Sequence, residues 1–275
     1  MPYSAALANP ASDKVASLRR LTTRQGRERA GEFVVEGPQA VREIVGHSWH
    51  DVKDVYLTDA AAQRWPEIVE VALGHGLHLH STTPEVMERL SGDAQGVLAV
   101  ARPTVLGPDD LARTLASARL VAVCEEVRDP GNLGTIIRAA DAAGADVVVL
   151  TAGSVELRSP KVVRSSAGSL FHLPVVTGVE LGDAVATLRS AGLTILAADG
   201  GGEHDVETSP LLERPTAWIF GTEAQGLSGR ARDLADAVVS VPLRGRAESL
   251  NVAMAATVCL YASSRAHAGA APTGS

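Results

Sequence analysis

The feature that most constrains this chain is a short apolar run, LVAVCEEV at residues 120–127, which ends in two acids and leads into a turn and a helical pattern. A strand that is apolar at every position must be covered on both faces, the condition of a central strand in a parallel sheet. The rhythm then repeats. NLGTIIRAADAAGA (132–145) reads as a helix, DVVVLT (146–151) as a strand, SPKVVRSSAGSL (159–170) as a helix and LPVV (173–176) as a strand. DAVATLRSAG (183–192) and LSGRARDLAD (227–236) are further helices; LTILAAD (193–199), TAWIFG (216–221) and AVVSVPL (237–243) are further strands. A long helix is expected over 249–266. Alternation of this kind predicts an α/β fold with a largely parallel sheet.

The first half carries a shorter version of the pattern. EFVVEG (32–37), DVKDVYLT (51–58), LHLHS (77–81) and GVLAVA (96–101) read as strands. PQAVREIV (38–45), residues 61–76 and TPEVMERL (83–90) read as helices, with Pro66 marking a start or a kink. A short helix over 12–21 is capped by Ser12 or Asp13, and residues 1–11 are expected as a loose tail. Pro103, Gly107 and Pro108 suggest a linker, with a helix over 109–117. The expected organisation is therefore an N-terminal tail and basic helix (1–27), a smaller α/β domain (28–102), a linker (103–118), a larger domain (119–266) and a disordered tail (267–275).

Of the 275 residues, 45% are hydrophobic and 21% charged, which excludes disorder over the whole chain. The two cysteines, Cys124 and Cys259, lie in apolar runs without a CxxC pair. They read as small buried hydrophobes of a reducing compartment. Clustered Cys and His ligands are missing, so no metal site is expected, and His78 and His80 read as surface strand residues. Nothing resembles a signal peptide or a stretch of about 18 apolar residues, so a cytoplasmic location is expected. The net charge of −7 counts against a nucleic-acid partner, yet Lys14, Arg19, Arg20, Arg24, Arg27 and Arg29 face a single acid, Glu28, over residues 14–29. A solvated helix face and an RNA-binding arm are both compatible with that cluster.

Three segments straddle strand-to-helix turns, where parallel sheets collect ligands. In EEVRDPGNLGTIIRAADAAGA, Asn132 is placed to cap the helix, and Arg138 follows among Ile136, Ile137 and Ala139. An arginine there needs an anionic partner: a ligand, or a salt bridge to Glu125, Glu126 or Asp129. In WIFGTEAQGLS, Gly221 and Gly226 permit close backbone approach, and Glu223 is either functional or a helix-start carboxylate. In VPLRGRAESLNVAMAA, Arg244 and Arg246 form a basic loop, and Ser249 or Asn251 begins a helix.

In this order, NLGTIIRAA, IFGTEAQGLS and VPLRGRAESLNVAMAA resemble the three motifs of the SpoU (TrmH) family of RNA ribose methyltransferases, in the SPOUT superfamily. SPKVVRSSAGSLFHLPV is also similar to that family, and the resemblance spans about residues 120–263. EFVVEGPQAVREI and QGVLAVA resemble, more loosely, its small substrate-binding domain.

The resemblance implies a C-terminal SPOUT domain with a parallel sheet and a deep trefoil knot, and an N-terminal L30e-like α/β RNA-binding domain. It implies a homodimer, with the helix of the first motif and the C-terminal helix near the interface, and S-adenosyl-L-methionine as methyl donor. The donor would be contacted by Gly221, Val241 and Leu250, with Thr222 and Leu243 beside them. Arg138 matches the catalytic arginine. A guanidinium stays protonated, so clamping a phosphate and stabilising the forming alkoxide is the chemically easier role. Asn132, Glu223, Ser249 and Asn251 would orient Arg138, the ribose and the motif loops. RNA phosphates would meet Arg19, Arg20, Arg24, Arg27 and Arg29, together with Arg158, Lys161, Arg164, Arg244 and Arg246. The extra N-terminal domain favours 23S rRNA over tRNA. Two alternatives stand beside this reading. A Rossmann oxidoreductase lacks its glycine fingerprint here; a non-catalytic RNA-binding or assembly factor would bind donor without transferring it.

Overall fold

The computed structural model describes residues 3–102, 106–222 and 226–270. In chain order the first half holds β1 (Tyr3–Leu7), α1 (Asp13–Arg20), α2 (Arg24–Ala30), β2 (Phe33–Glu36), α3 (Pro38–His47) and β3 (Val52–Thr58). It continues with α4 (Asp59–Arg64), α5 (Pro66–Gly74), β4 (His78–Thr82), α6 (Pro84–Leu90) and β5 (Val97–Ala101). Then come α7 (Leu111–Thr114), β6 (Leu120–Cys124), α8 (Pro130–Ala142), β7 (Val147–Thr151), α9 (Pro160–Ser165), β8 (Val175–Val179) and α10 (Leu181–Ser190). The chain closes with β9 (Thr194–Ala198), β10 (His204–Asp205), β11 (Thr216–Phe220), α11 (Gly229–Leu234), β12 (Ala237–Ser240) and α12 (Val252–Ala270). Several helices start by one device: a side-chain cap followed by a proline whose fixed φ suits the first turn. Thr83–Pro84, Asp129–Pro130 and Ser159–Pro160 are examples.

The chain divides into two compact units, residues 1–104 with 156–172, and residues 105–155 with 173–275. The first has a five-stranded sheet in the order β1-β4-β3-β5-β2. Its strands alternate between two cores. Phe33, Val35, Val55, Leu57, Val97 and Ala99 face α3 and α5, whereas Val34, Tyr56, Leu98 and Val100 face α1 and α6. The sheet is not largely parallel as expected: β5 runs antiparallel to both β3 and β2. Residues 3–7 are not a loose tail, because β1 pairs in parallel with β4 and supplies that edge with hydrogen-bond partners. Pro66 starts a new helix instead of kinking one.

Segment 156–172 does not stay with the larger domain. Val163 of α9 is buried in the first unit's core. Arg27 holds Glu156 through two hydrogen bonds of 2.9 and 2.6 Å, and Arg164 pairs with Glu36. The helix expected over 159–170 stops at Ser165, where Ala167 (φ 51°) and Gly168 (φ 98°) turn the backbone left-handed.

The second unit has a seven-stranded, all-parallel sheet in the order β10-β12-β9-β11-β6-β7-β8. One face packs Val121, Val123, Val149, Ile195 and Ile219 under α10 and α11. The other carries α8 and α12, which pack on each other and on β6. There the buried Ser263 of α12 accepts a hydrogen bond from Trp218 Nε1 at 2.9 Å and lies 3.2 Å from Thr216 Oγ1. The expected linker is partly structured: α7 buries Leu111, and Leu115 follows it into the same core. The expected disordered tail begins too early, because α12 runs to Ala270. No helix among the described residues is long and apolar enough to cross a membrane.

Candidate active site

β12, β9 and β11 are neighbours and parallel, so their carboxyl ends open on one edge of the sheet. The loops leaving them enclose a cavity of about 530 Å³, within the range of small-molecule sites. From β9 come Ala198, Asp199 and Gly200; from β11 come Phe220, Gly221, Thr222, Gly226 and Leu227. The loop after β12 adds Val241, Leu243 and Glu248 to Asn251, and α12 adds Val252 and Ala255.

The glycines are steric requirements. A Cβ on Gly221 would lie 2.3 Å from the carbonyl oxygen of Gly226, which has φ +65°. That fold-back is closed by paired backbone bonds between Thr222 and Gly226, at 2.9 and 3.0 Å. Behind it, Ser228 caps α11 and donates its hydroxyl to the buried Glu125, which also accepts from the Ser228 amide at 3.2 Å. Asp199 accepts from Gly201 N at 2.9 Å and from Arg232 at 2.6 Å, so this lining carboxylate is already oriented.

All five residues assigned to the donor, Gly221, Thr222, Val241, Leu243 and Leu250, line this one cavity. Ser249 and Asn251 line it too. Asn251 accepts from Ala253 N at 2.9 Å, which caps α12, and donates to Asn132 Oδ1 at 3.0 Å. Ser249 therefore does not begin the helix. Asn132 does not cap α8 either; Asp129 does, accepting from the Asn132 amide at 2.8 Å, and Asn132 instead reaches across to Asn251. Glu223 lies outside the described residues.

Arg138 stands exposed on α8 and is not part of the lining. It is not the buried-face arginine that its apolar neighbours suggested. The carboxylates considered as partners are engaged elsewhere: Glu125 with Ser228, Glu126 with Arg128, and Asp129 with the start of α8. Beside Arg138, α12 displays Met254, Val258 and Tyr261 at helical spacing, and the Tyr261 hydroxyl donates to Ala142 O at 3.2 Å. These are large apolar side chains left on a surface.

Among the basic candidates, Arg27 is corrected. It is 3% exposed and bonded to Glu156 and to the carbonyls of Leu21 and Thr22, which engages four of its five N–H donors and leaves no open face for a phosphate. Burial pushes the Glu156 carboxyl up, but the Arg27 bonds and charge outweigh it, and the group sits below its ordinary value. Arg19, Arg20 and Arg29 are exposed, as is Arg24, which pairs with Glu28. Lys161 and Arg164 are exposed on α9, the latter paired with Glu36 and Asp93, while Arg158 is half-buried near Glu156. In the second unit Arg244 pairs with Glu207, whose hydrogen bond raises the arginine further, and Arg246 is exposed. Both cysteines are buried thiols, and burial pushes Cys259 up to about 12, so neither serves as a nucleophile.

Sequence reading missed Asp199, Gly200, Phe220, Leu227 and Glu248 as lining residues. An available signal was AADGGG after a predicted strand, which marks a further glycine-rich strand end.

Comparison with known proteins gives this geometry its context. Residues 119–261 match the SpoU rRNA methylase family, and residues 12–99 match an MRM3-like substrate-binding domain. The chain belongs to the SpoU rRNA methylase family. It is 34% identical over 248 residues to a 23S rRNA (uridine(2479)-2′-O)-methyltransferase of Streptomyces viridochromogenes, covering 88% of this chain and 85% of that protein. It is 33% identical to a 23S rRNA (guanosine(2553)-2′-O)-methyltransferase of Bacillus subtilis, covering 91% and 95%. Among solved structures, the SpoU methyltransferase AviRb of S. viridochromogenes in complex with AdoMet superposes with a TM-score of 0.80 at 32% identity, covering 94% of this chain and 100% of that one. An AdoMet-bound rRNA methyltransferase of Sinorhizobium meliloti gives 0.82 at 25% identity, covering 96% and 98%. As a SpoU methylase, the chain is an RNA-modifying enzyme with a separate N-terminal substrate-binding domain.

Proposed function

We propose that this SpoU methylase transfers the methyl group of S-adenosylmethionine to a ribose 2′-hydroxyl of 23S rRNA, in the cytoplasm and as a homodimer. The observation that carries the reading is the cavity at the ends of β9, β11 and β12, which gathers residues of the second and third motifs into one space of ligand size. The fold-back at Gly221 and Gly226 brings two main-chain segments together in the cavity wall. That suits a donor held mainly by main-chain contacts.

Gly221, Thr222, Val241, Leu243 and Leu250 would hold the donor, whose sulfonium supplies an electrophilic methyl. Methyl transfer asks the protein for in-line placement more than for covalent help. Arg138 would clamp the phosphate beside the target ribose and stabilise the developing alkoxide. Asn132, Ser249 and Asn251, with Glu223, would fix the motif loops and the ribose; the Asn132–Asn251 bond supports that role by joining α8 to the cavity rim. The dimer reading rests on Met254, Val258 and Tyr261, whose burial against a second copy would remove apolar surface from water. Arg138 stands on the exposed face of α8 next to that stripe, so pairing through it would place Arg138 at a shared site. The same reading takes the chain from β12 into α12 as threaded through a deep trefoil knot; the return of α12 from an outer strand to α8 and β6 supports it. Exposed Arg19, Arg20, Arg24 and Arg29, with Arg158, Lys161 and Arg164, would bind RNA phosphates from the first unit, which supports an L30e-like RNA-binding role for it. Arg244 and Arg246 would do so from the second.

The test is transfer of labelled methyl from S-adenosylmethionine to unmodified 23S rRNA, with ribose mapping of the product. Label on a ribose 2′-oxygen is expected. Donor binding without label on rRNA, tRNA or ribosomal subunits would overturn the enzymatic reading.

A further inference from the structure

We propose that Glu43, His47 and His172 form a divalent-cation site suited to Zn²⁺, separate from the methyl-transfer cavity. Glu43 and His47 stand one turn apart on α3 and share a face. His172 follows the tight turn at residues 169–171 in the same unit. One ligating atom from each lies within 4.8 Å of the others. The Nε2 atoms of His172 and His47 lie 3.1 and 3.5 Å from the same Glu43 oxygen. Zinc bonds of about 2.0–2.2 Å at a tetrahedral angle place neighbouring donors roughly 3.3–3.5 Å apart, so these edges are already close to those of a coordination polyhedron.

The surroundings hold the cluster in shape. Gly168 has φ +98°, and a Cβ there would fall 2.3 Å from Glu43 Cγ, so only glycine leaves room for the glutamate stem. Ser48 at the end of α3 donates to Phe171 O at 3.2 Å, fixing the turn that presents His172. The two imidazoles meet edge-on at 4.7 Å between centroids. Among the described residues, no lysine or arginine pairs with the Glu43 carboxylate; its ion-pair partners are these two histidines. Glu43 is half-buried, whereas His172 and His47 are exposed, so water has access to a fourth position. Two imidazoles and one carboxylate are a donor set that zinc favours. Glu43 and His172 are 129 residues apart, so no local Cys/His pattern reveals the site in the sequence. A cation here ties segment 156–172 to α3 and takes no part in methyl transfer.

The test uses the full chain, stripped with a chelator and titrated with ZnCl₂ by calorimetry, with thermal unfolding and Co²⁺ spectra alongside. One saturable cation per chain, a raised unfolding midpoint and tetrahedral Co²⁺ bands are expected. His172→Ala and the exposed His47→Gln should each weaken binding at least about tenfold, remove the thermal gain and abolish the Co²⁺ bands. Metal-free His47→Gln should keep wild-type folding, so its loss of binding reads on the site. No saturable uptake by the wild type, or equal uptake by His47→Gln, would overturn the proposal.

Discussion

The two units use charge in opposite ways. In the first, ion pairs are mortar: Arg27 with Glu156, Arg164 with Glu36, Glu32 with Lys53 and Arg102, and Asp54 with His80 and Lys14 join segments distant in sequence around partly buried carboxylates. In the second, an aliphatic parallel sheet carries the structure, and pairs such as Arg189–Asp236 and Arg244–Glu207 lie at the surface, where they contribute little. An arginine's meaning therefore depends on the unit that holds it. Arg27, within a basic cluster, is structural; Arg138, within an apolar helix, is exposed and free of the salt bridges first considered for it.

The largest effect expected from that contrast is on stability. Arg27→Ala leaves Glu156 partly buried without its partner and should cost about 3–5 kcal/mol, read by denaturant unfolding. Loss below about 1 kcal/mol would dissolve the contrast. The same unit should be acid-labile. Glu156, Asp54 and Glu32 are held below their ordinary values, against the upward push of burial, by Arg27, by His80 and Lys14, and by Lys53 and Arg102 respectively. Carboxylates lowered in the folded state stabilise it above their unfolded values, near about 4, and lose that contribution as pH falls through the folded ones. Stability should therefore fall steeply below about pH 4, and less steeply in Arg27→Ala.

Arg138→Ala should leave the unfolding midpoint and donor binding unchanged while lowering methyl transfer roughly 10²- to 10³-fold, as loss of one transition-state donor does. An unfolded variant would return Arg138 to the structural class. Gly221→Ala pushes a methyl into the Gly226 backbone. It should cost about 1–3 kcal/mol and weaken donor binding measured by calorimetry, with the first unit's core untouched. Asn251→Ala removes the α12 cap and the bond to Asn132, for about 1 kcal/mol. The smallest effects belong to exposed Arg19 and Arg20. Replacing either by alanine should weaken RNA binding a few-fold and lower the salt slope by about one, without a sequence preference.

Much of this was legible in the sequence, because period-two and period-3.6 patterns are local. The strands from Phe33 to Ala101, and those from Leu120 to Ser240 apart from the polar His204–Asp205, fall where the apolar patterns place them, and the glycine-bearing turn at Gly221 marks its own loop. What was not legible depends on partners. Nothing in GVLAVA distinguishes a parallel strand from the antiparallel β5. Tyr3–Leu7 becomes a strand only because β4 offers an open edge. Arg27 is buried only because Glu156 arrives from a remote segment, and Asp199 joins the cavity only because β9 lies between β12 and β11. Leu111 and Leu115 are different: the helix expected over 109–117 is present in shorter form, but its assignment to a linker hid that both leucines join a core.

The strand order also sets a timetable. The cavity draws its walls from residues 198–200, from 220–222 with 226–227, and from the stretch between 241 and 255, and the last of these is synthesised after the others. Because domains fold from the N-terminus as the chain emerges, the first unit can bury Val15, Phe33 and Leu79 while the cavity still lacks a wall. On the donor assignment proposed above, competence for donor binding is thus a late event in the birth of the protein. A chain stopped before Val241 would carry an assembled substrate-binding unit and no place for the donor.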